Sequence, residues 1–229
     1  MKKGLSIVIN IILFAIILLL GWQVYKSIIA PIKFSNEQKA REAKVIERLL
    51  DIRNAEVLYK NATNKYTDNF DTLIKFCKAA EIPMVKMVSK QNLADSSYYT
   101  VYDTIGYVKV MDSLKAGRED FNIDDIKWVP FSEPKQQFEL EAGAKSNNLI
   151  EIPVFEARAP YETYLATPGA GISEKEWKQR VDNAKEEKVS ASRDSHTGEV
   201  DVDSPFYRYP GLKVGSMKEA STEGNWDKL

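Results

Sequence analysis

The apolar positions follow three different patterns along the chain, and each predicts a different kind of element. From Leu5 to Trp22 they are continuous (LSIVINIILFAIILLLGW), with no charge and only Ser6 and Asn10 strongly polar. At 1.5 Å per residue a helix of that length spans roughly 27 Å, close to the hydrocarbon thickness of a bilayer. Lys2 and Lys3 stand before it, while Trp22 and Tyr25 mark interfacial depth at the far end, ahead of Lys26. This predicts a transmembrane helix over 5–26, with Leu5, Ile9, Leu13, Ile17, Leu20 and Trp22 as the anchor residues. The positive flank puts residues 1–4 in the cytoplasm as a short leader and the chain from about residue 27 outside it. A cleaved secretory signal needs a small-x-small site after the apolar run, and Ser27-Ile28-Ile29-Ala30 before Pro31 is a poor one. Asn10 is read as hydrated near the inner interface rather than bonded to a partner helix.

After Pro31, which ends or kinks a helix, the spacing becomes helical. Ser35 and Gln38 have the Ser-x-x-Gln form of a capping box, so a new helix is expected to start there and run to about Ala62. Val45, Ile46, Leu49, Leu50, Ile52, Val57 and Leu58 recur on one side, with Lys, Arg and Glu opposite. Such a stem, roughly 40 Å long, needs a surface to pack on. Ile46, Leu49, Leu50 and Val57 are the residues expected to hold that partner. The stripe is wide and lacks a sustained a/d register, which favours a sheet of the same domain over a coiled coil. Asn61–Asp68 reads as a loop, and Asn69–Ala80 as a short helix burying Phe70, Leu73, Ile74 and Cys77. Stem and second helix together occupy 35–80.

The third pattern has strand character. Tyr98–Tyr102 and Tyr107–Val110 are β-rich and separated by a turn-like Asp103–Gly106. Phe138–Ala142 and Leu149–Val154 read as a hairpin around Gly143–Asn148, with Pro153 marking an edge strand or a strand end. Ser173 and Glu176 form a second capping box, opening a helix over 174–187. The tail from Pro205 holds Phe206, Tyr207, Tyr209 and Trp226, so part of it is expected to lie on the domain. The fold class is α+β: a transmembrane helix continuing into a stem packed on an antiparallel sheet, then an irregular tail, with 81–229 as a β-rich domain outside the cytoplasm.

Composition sharpens the contrast. The chain of 229 residues is 44% hydrophobic and 28% charged, with Lys+Arg 32 against Asp+Glu 33. Its mean hydropathy of -0.36 conceals the apolar first thirty residues. The balanced charge gives no footprint for nucleic acid. One cysteine, Cys77, excludes an intramolecular disulfide framework and a Cys-based zinc cluster, and reads as a small core residue.

The first 75 or so residues together resemble a type IV pilin or pseudopilin. The matching parts are the short basic leader ending in Gly4, the apolar helix and its amphipathic extension. The segment Ile52–Lys60, then Lys65-Tyr66, then Phe70–Leu73 is similar to the family's stem-to-loop join. The resemblance implies a stem packed on an antiparallel sheet and a subunit of a filament-like or secretion machine. The family's glutamate at the fifth position after the leader glycine is Ile9 here, a departure bearing on filament entry and on cleavage after Gly4. The ending Tyr207–Gly215 resembles that of uncharacterised envelope proteins of Bacteroidota.

Candidate chemistry is sparse. His196, the single histidine, lies in Asp194-Ser195-His196-Thr197-Gly198, a polar loop rather than a catalytic set. Asp194, Glu199, Asp201 and Asp203 form an acidic loop whose carboxylates could hold Ca²⁺, but it lacks the EF-hand spacing and reads as solvated. Thr167–Gly171 lacks the Lys-Ser/Thr of a phosphate loop and reads as a linker. The helix Lys175–Lys188 is charged on most faces and solvated. The eleven tyrosines are either ordinary strand formers or a sticky binding face. The expected protein is therefore non-catalytic and without cofactors: a single-pass inner-membrane subunit of an envelope machine, its partners the lipid bilayer and proteins of the inner membrane or periplasm. The alternative is a tethered binding module for a glycan, peptide or client protein.

Overall fold

The computed structural model describes residues 2–91, 98–147, 150–195 and 197–226, with the side chains of 2–10, 90, 91, 99 and 147 left out of the description. A single 62-residue helix, α1 (Lys2–Thr63), contains both the apolar run and the stem, with Pro31 inside it. The expected stop at Pro31 and fresh start at Ser35 do not occur. A proline in a helix interior loses one hydrogen bond and crowds the preceding turn, a cost of about 3 kcal/mol. Packing on both sides of the fault compensates, because Ala30 and Phe34 are already buried against the domain. The far end stops at Asn64, which takes a left-handed conformation (φ 60°) and returns its N–H to the Lys60 carbonyl.

Helix α2 (Phe70–Ala79) follows, capped by the Asn69 side chain, which accepts from the N–H groups of Asp71 and Thr72. It buries Phe70, Leu73, Ile74 and Cys77, the face its spacing predicts. Next comes a two-stranded antiparallel ribbon, β1 (Glu81–Gln91) and β2 (Tyr98–Lys109). Here the sequence expectation is corrected twice. Asp103–Gly106 is no turn: β2 runs straight through, and a register shift opposite Met84/Val85 absorbs Ile105 as an extra residue. Strand β1 itself carries Pro83 and two interior lysines, which mask its strand character until β2 is laid beside it.

A short helix α3 (Val110–Lys115) returns the chain to the core. The second sheet has the order β3-β4-β5, with β3 (Glu139–Asn147), β4 (Ile150–Pro160) and β5 (Gly211–Gly215), all antiparallel. The expected hairpin is present as β3 and β4, but Gly143–Asn147, expected as its connection, is strand paired with Ile150–Val154. Pro153 does not end β4, which is the central strand. β5 pairs only Glu156–Pro160, so at Pro153 the strand still has one neighbour and its missing N–H is tolerated. Strand β5 comes from the aromatic tail, and its end glycines permit a close approach. A Cβ on Gly215 (φ 77°) would fall 2.3 Å from the Phe155 carbonyl oxygen, and one on Gly211 the same distance from that of Ala159.

Between β4 and β5 lie α4 (Tyr161–Tyr164) and α5 (Glu174–Val189). Ser173 holds the N-cap position of α5 but makes no capping hydrogen bond, and Glu176 pairs instead with Arg180. One core joins these parts. Val45, Leu49, Ile52 and Ala55 of α1 are fully buried with Leu73, Cys77, Val110, Ile126, Phe155, Ala157, Trp177 and Val214. The architecture is α+β, and the apolar stripe of the stem packs on β4 and β5 of its own chain together with α2 and α3.

Candidate membrane anchor and interaction surface

From Ile11 to Ile28 every residue of α1 is exposed. Leu13, Ile17, Leu20 and Trp22 stand 51%, 63%, 53% and 70% exposed, whereas Leu5 and Ile9 lie on the same helix among side chains outside the description. Apolar surface on this scale is stable only when something apolar covers it. By length and composition α1 can cross a membrane. The Trp22 and Tyr25 rings lie 6.1 Å apart toward the far end of the bare stretch, a pairing of amphipathic rings suited to a headgroup region.

The domain grips the helix almost immediately afterwards. Phe34 meets Trp177 edge-on at 4.9 Å, and the Trp177 indole N–H donates to the Leu165 carbonyl. One turn and more beyond, Arg41 is 5% exposed. Its guanidinium donates to the carbonyls of Tyr164 and Thr167, pairs with Glu37, and lies between the rings of Phe131 and Trp177. Nη1 donates to both carbonyls while Nε holds Glu37 and the guanidinium plane lies against two rings, a combination that a single ammonium cannot reproduce. Gly169 follows in that loop, and a Cβ there would sit 2.7 Å from Arg41 Nη2. Gly169 thus lets the loop pack closely on the stem, whereas Gly171 (φ 70°) has open space around it and serves the turn.

Higher on the stem the four expected partner-holding residues divide. Leu49 is spent on the chain's own core, Ile46 packs against it partly buried, and Leu50 and Val57 are half-buried. Asp51 receives two bonds from Arg118, tying α1 to the segment after α3. Glu56 is fully buried; its Oε2 accepts the Thr67 N–H, and its Oε1 has no partner. Desolvation pushes its pKa up to about 8, against the opposing Thr67 bond and aided by the charge of Asp68. Burial likewise pushes the Cys77 thiol up to about 12, helped by nearby Glu56, so the sulfur stays protonated and inert.

No protein-family model, curated protein or solved structure matches the chain.

The most exposed apolar surface of the domain is the ribbon. Register places Pro83, Val85 and Met87 on the same face as Tyr107, Thr104 and Tyr102, with Tyr98 and Thr100 continuing it toward the tip. Tyr98, Tyr102, Tyr107 and Met87 are 72%, 69% or 65% exposed. The other face carries Lys86 opposite Asp103 and the half-buried pair Val88 and Val101. In the sequence only the tyrosines signalled this surface. Its other half, β1, was not visible there, and neither were Arg41 and Glu56, which look like ordinary members of a charged helix face.

In the acidic loop the carboxylates of Asp194 and Asp201 accept the N–H groups of Thr197 and Asp203. Asp203 pairs with Lys218, and Arg193 with Glu186. Among the described residues no group of three His, Cys, Asp or Glu is placed to hold a metal. His196 lies outside the described residues. A shallow recess of about 280 Å³ lies between Asp68–Asp71 and Gln137, Phe138 and Leu140.

Proposed function

We propose that the chain is a non-catalytic, membrane-anchored structural or assembly subunit of a cell-envelope machine. Its anchor crosses the inner membrane with the N-terminus in the cytoplasm, and its domain stands on the periplasmic side. The observation that carries this reading is the continuity of α1, bare of protein from Ile11 to Ile28 and built into the core from Ala30 onward without a break. A flexible linker would let the domain wander, whereas a continuous helix clasped at Phe34 and Arg41 holds it at a set distance and orientation from the bilayer. The pilin-like plan, one long helix half free and half packed on antiparallel strands, supports the same reading.

Alkaline carbonate extraction of native membranes, with protease treatment of intact and osmotically opened cells, tests it. The chain is expected in the alkali-resistant pellet, its domain digested only once the outer barrier is opened. Release by alkali refutes the anchor, and digestion only after cell lysis refutes the orientation.

A further inference from the structure

An isolated two-stranded ribbon is at best marginally stable in water, yet β1 and β2 pair over eleven positions with an uncharged apolar face turned to solvent. Between the Glu81–Lys109 pair at the base and Gln91–Tyr98 at the tip, this face presents Pro83, Val85, Met87, Ser89, Thr100, Tyr102, Thr104 and Tyr107. It contains no charge that a charged peptide or nucleic acid would seek. We propose that this face packs against the same face of a second copy of the chain, joining two ribbons into a two-layered, four-stranded unit.

Area supports that occupant. Three tyrosines at 72%, 65% and 69% exposure, each offering roughly 150–250 Å² when fully covered, present about 400 Å². Met87 at 65% and Val85 at 45% lie between them. Together they present about 600 Å², some three-quarters of the ~800 Å² per partner of a specific interface and at the upper end of what a monomer ordinarily leaves bare. The face is also chemically self-matching. A twofold contact sets Tyr and Met against Tyr and Met, while the open edge of β1 is protected by Pro83 and Lys86 against strand addition. Lipid is the poorer occupant, because the ribbon's base joins α2 and α3, and these are tied to α1 at Tyr59 by Phe76 and at Asp51 by Arg118. That level is roughly 30–45 Å along the helix beyond Ala30. The proposal deepens the reading of an assembly subunit by naming its partner. Tethering to one bilayer raises the effective concentration, so a modest contact suffices.

The test uses the full chain in detergent micelles or nanodiscs, with sedimentation across concentration. A dimer is expected, and the double variant Met87→Lys/Tyr102→Lys should raise its dissociation constant at least tenfold with circular dichroism unchanged, since both side chains are exposed. Single cysteines at Met87 and Lys86 give a second measurement, because buried Cys77 leaves the new thiol as the reactive one. Oxidation should join copies of Met87→Cys and spare Lys86→Cys on the opposite face. A monomer at concentrations on the order of 100 μM overturns the proposal. So does a dimer indifferent to the double variant, or equal crosslinking from both faces. Capture of a different protein by a monomeric chain also overturns it, in favour of a client-binding ribbon. An alkali-extractable chain that still dimerises would sink the tether alone, and a membrane-embedded monomer would sink this contact alone.

Discussion

Glu56 makes the stability of the domain depend on pH in a direction opposite to that of an ordinary carboxylate. Its side chain is fully buried between the stem and the loop after it, with one oxygen bonded to the Thr67 N–H and the other unpaired. The folded state holds the proton up to about 8, against the ordinary 4.5. The sign follows from linkage. Between these two values the folded chain binds more protons than the unfolded one, so stability is complete below about pH 4.5 and is lost as pH rises to about 8. At about 1.4 kcal/mol per pH unit, the full span is about 5 kcal/mol, a large part of a typical domain's stability. Glu56→Gln removes the titration while keeping an acceptor for Thr67 and the shape of the protonated acid. Denaturant unfolding of the full chain in micelles, followed by the fluorescence of buried Trp177, is the assay. Near pH 5 the variant and parent should differ by about 1 kcal/mol or less; near pH 9 the variant should be more stable by several kcal/mol. Other groups titrate in both proteins and cancel in the difference. Parallel pH profiles would refute the reasoning, because they would mean that Glu56 reaches water or a partner in the folded state.

The remaining expectations concern packing. Arg41→Lys should cost about 2 kcal/mol by giving up the Glu37 bond made alongside the two carbonyl bonds, and the stacking, read as a lower melting temperature and faster proteolysis within 165–171. Leu49→Ala should cost about 2–5 kcal/mol in equilibrium unfolding, because Leu49 is fully enclosed by its own domain; a neutral outcome would show that this surface of the stem is not core. Gly215→Ala should destabilise by at least 1 kcal/mol through its positive φ and the clash with the Phe155 carbonyl, with hydrogen exchange rising first at β5.

Much of the plan is legible in local sequence. Partition of a helix into a bilayer depends on composition alone, so the run from Leu5 to Trp22 identifies the candidate anchor without knowledge of any contact. The apolar face of α2, the pairing of β3 with β4 and the span of α5 are equally local, because each is specified by nearby residues, although the capping bond expected at Ser173 is not made. The candidate site was legible only in part. Its tyrosines could be seen, but not the strand that aligns them.

Tertiary structure decided what depends on distant neighbours. Pro31 remains helical because packing at Ala30 and Phe34 offsets its local cost. The turn-like Asp103–Gly106 is drawn straight by β1, and the ribbon's apolar face exists only in that register. Gly211–Gly215 becomes a strand because β4 offers an unpaired edge to which only a chain without side chains at those two ends can come close. Arg41 and Glu56 have the spacing of solvated helix residues, and the loops folded over them turned one into a clasp and the other into a buried acid. Local chemistry set which segments are helical, extended or apolar; long-range pairing and desolvation set which of those segments met, and which polar groups lost their water.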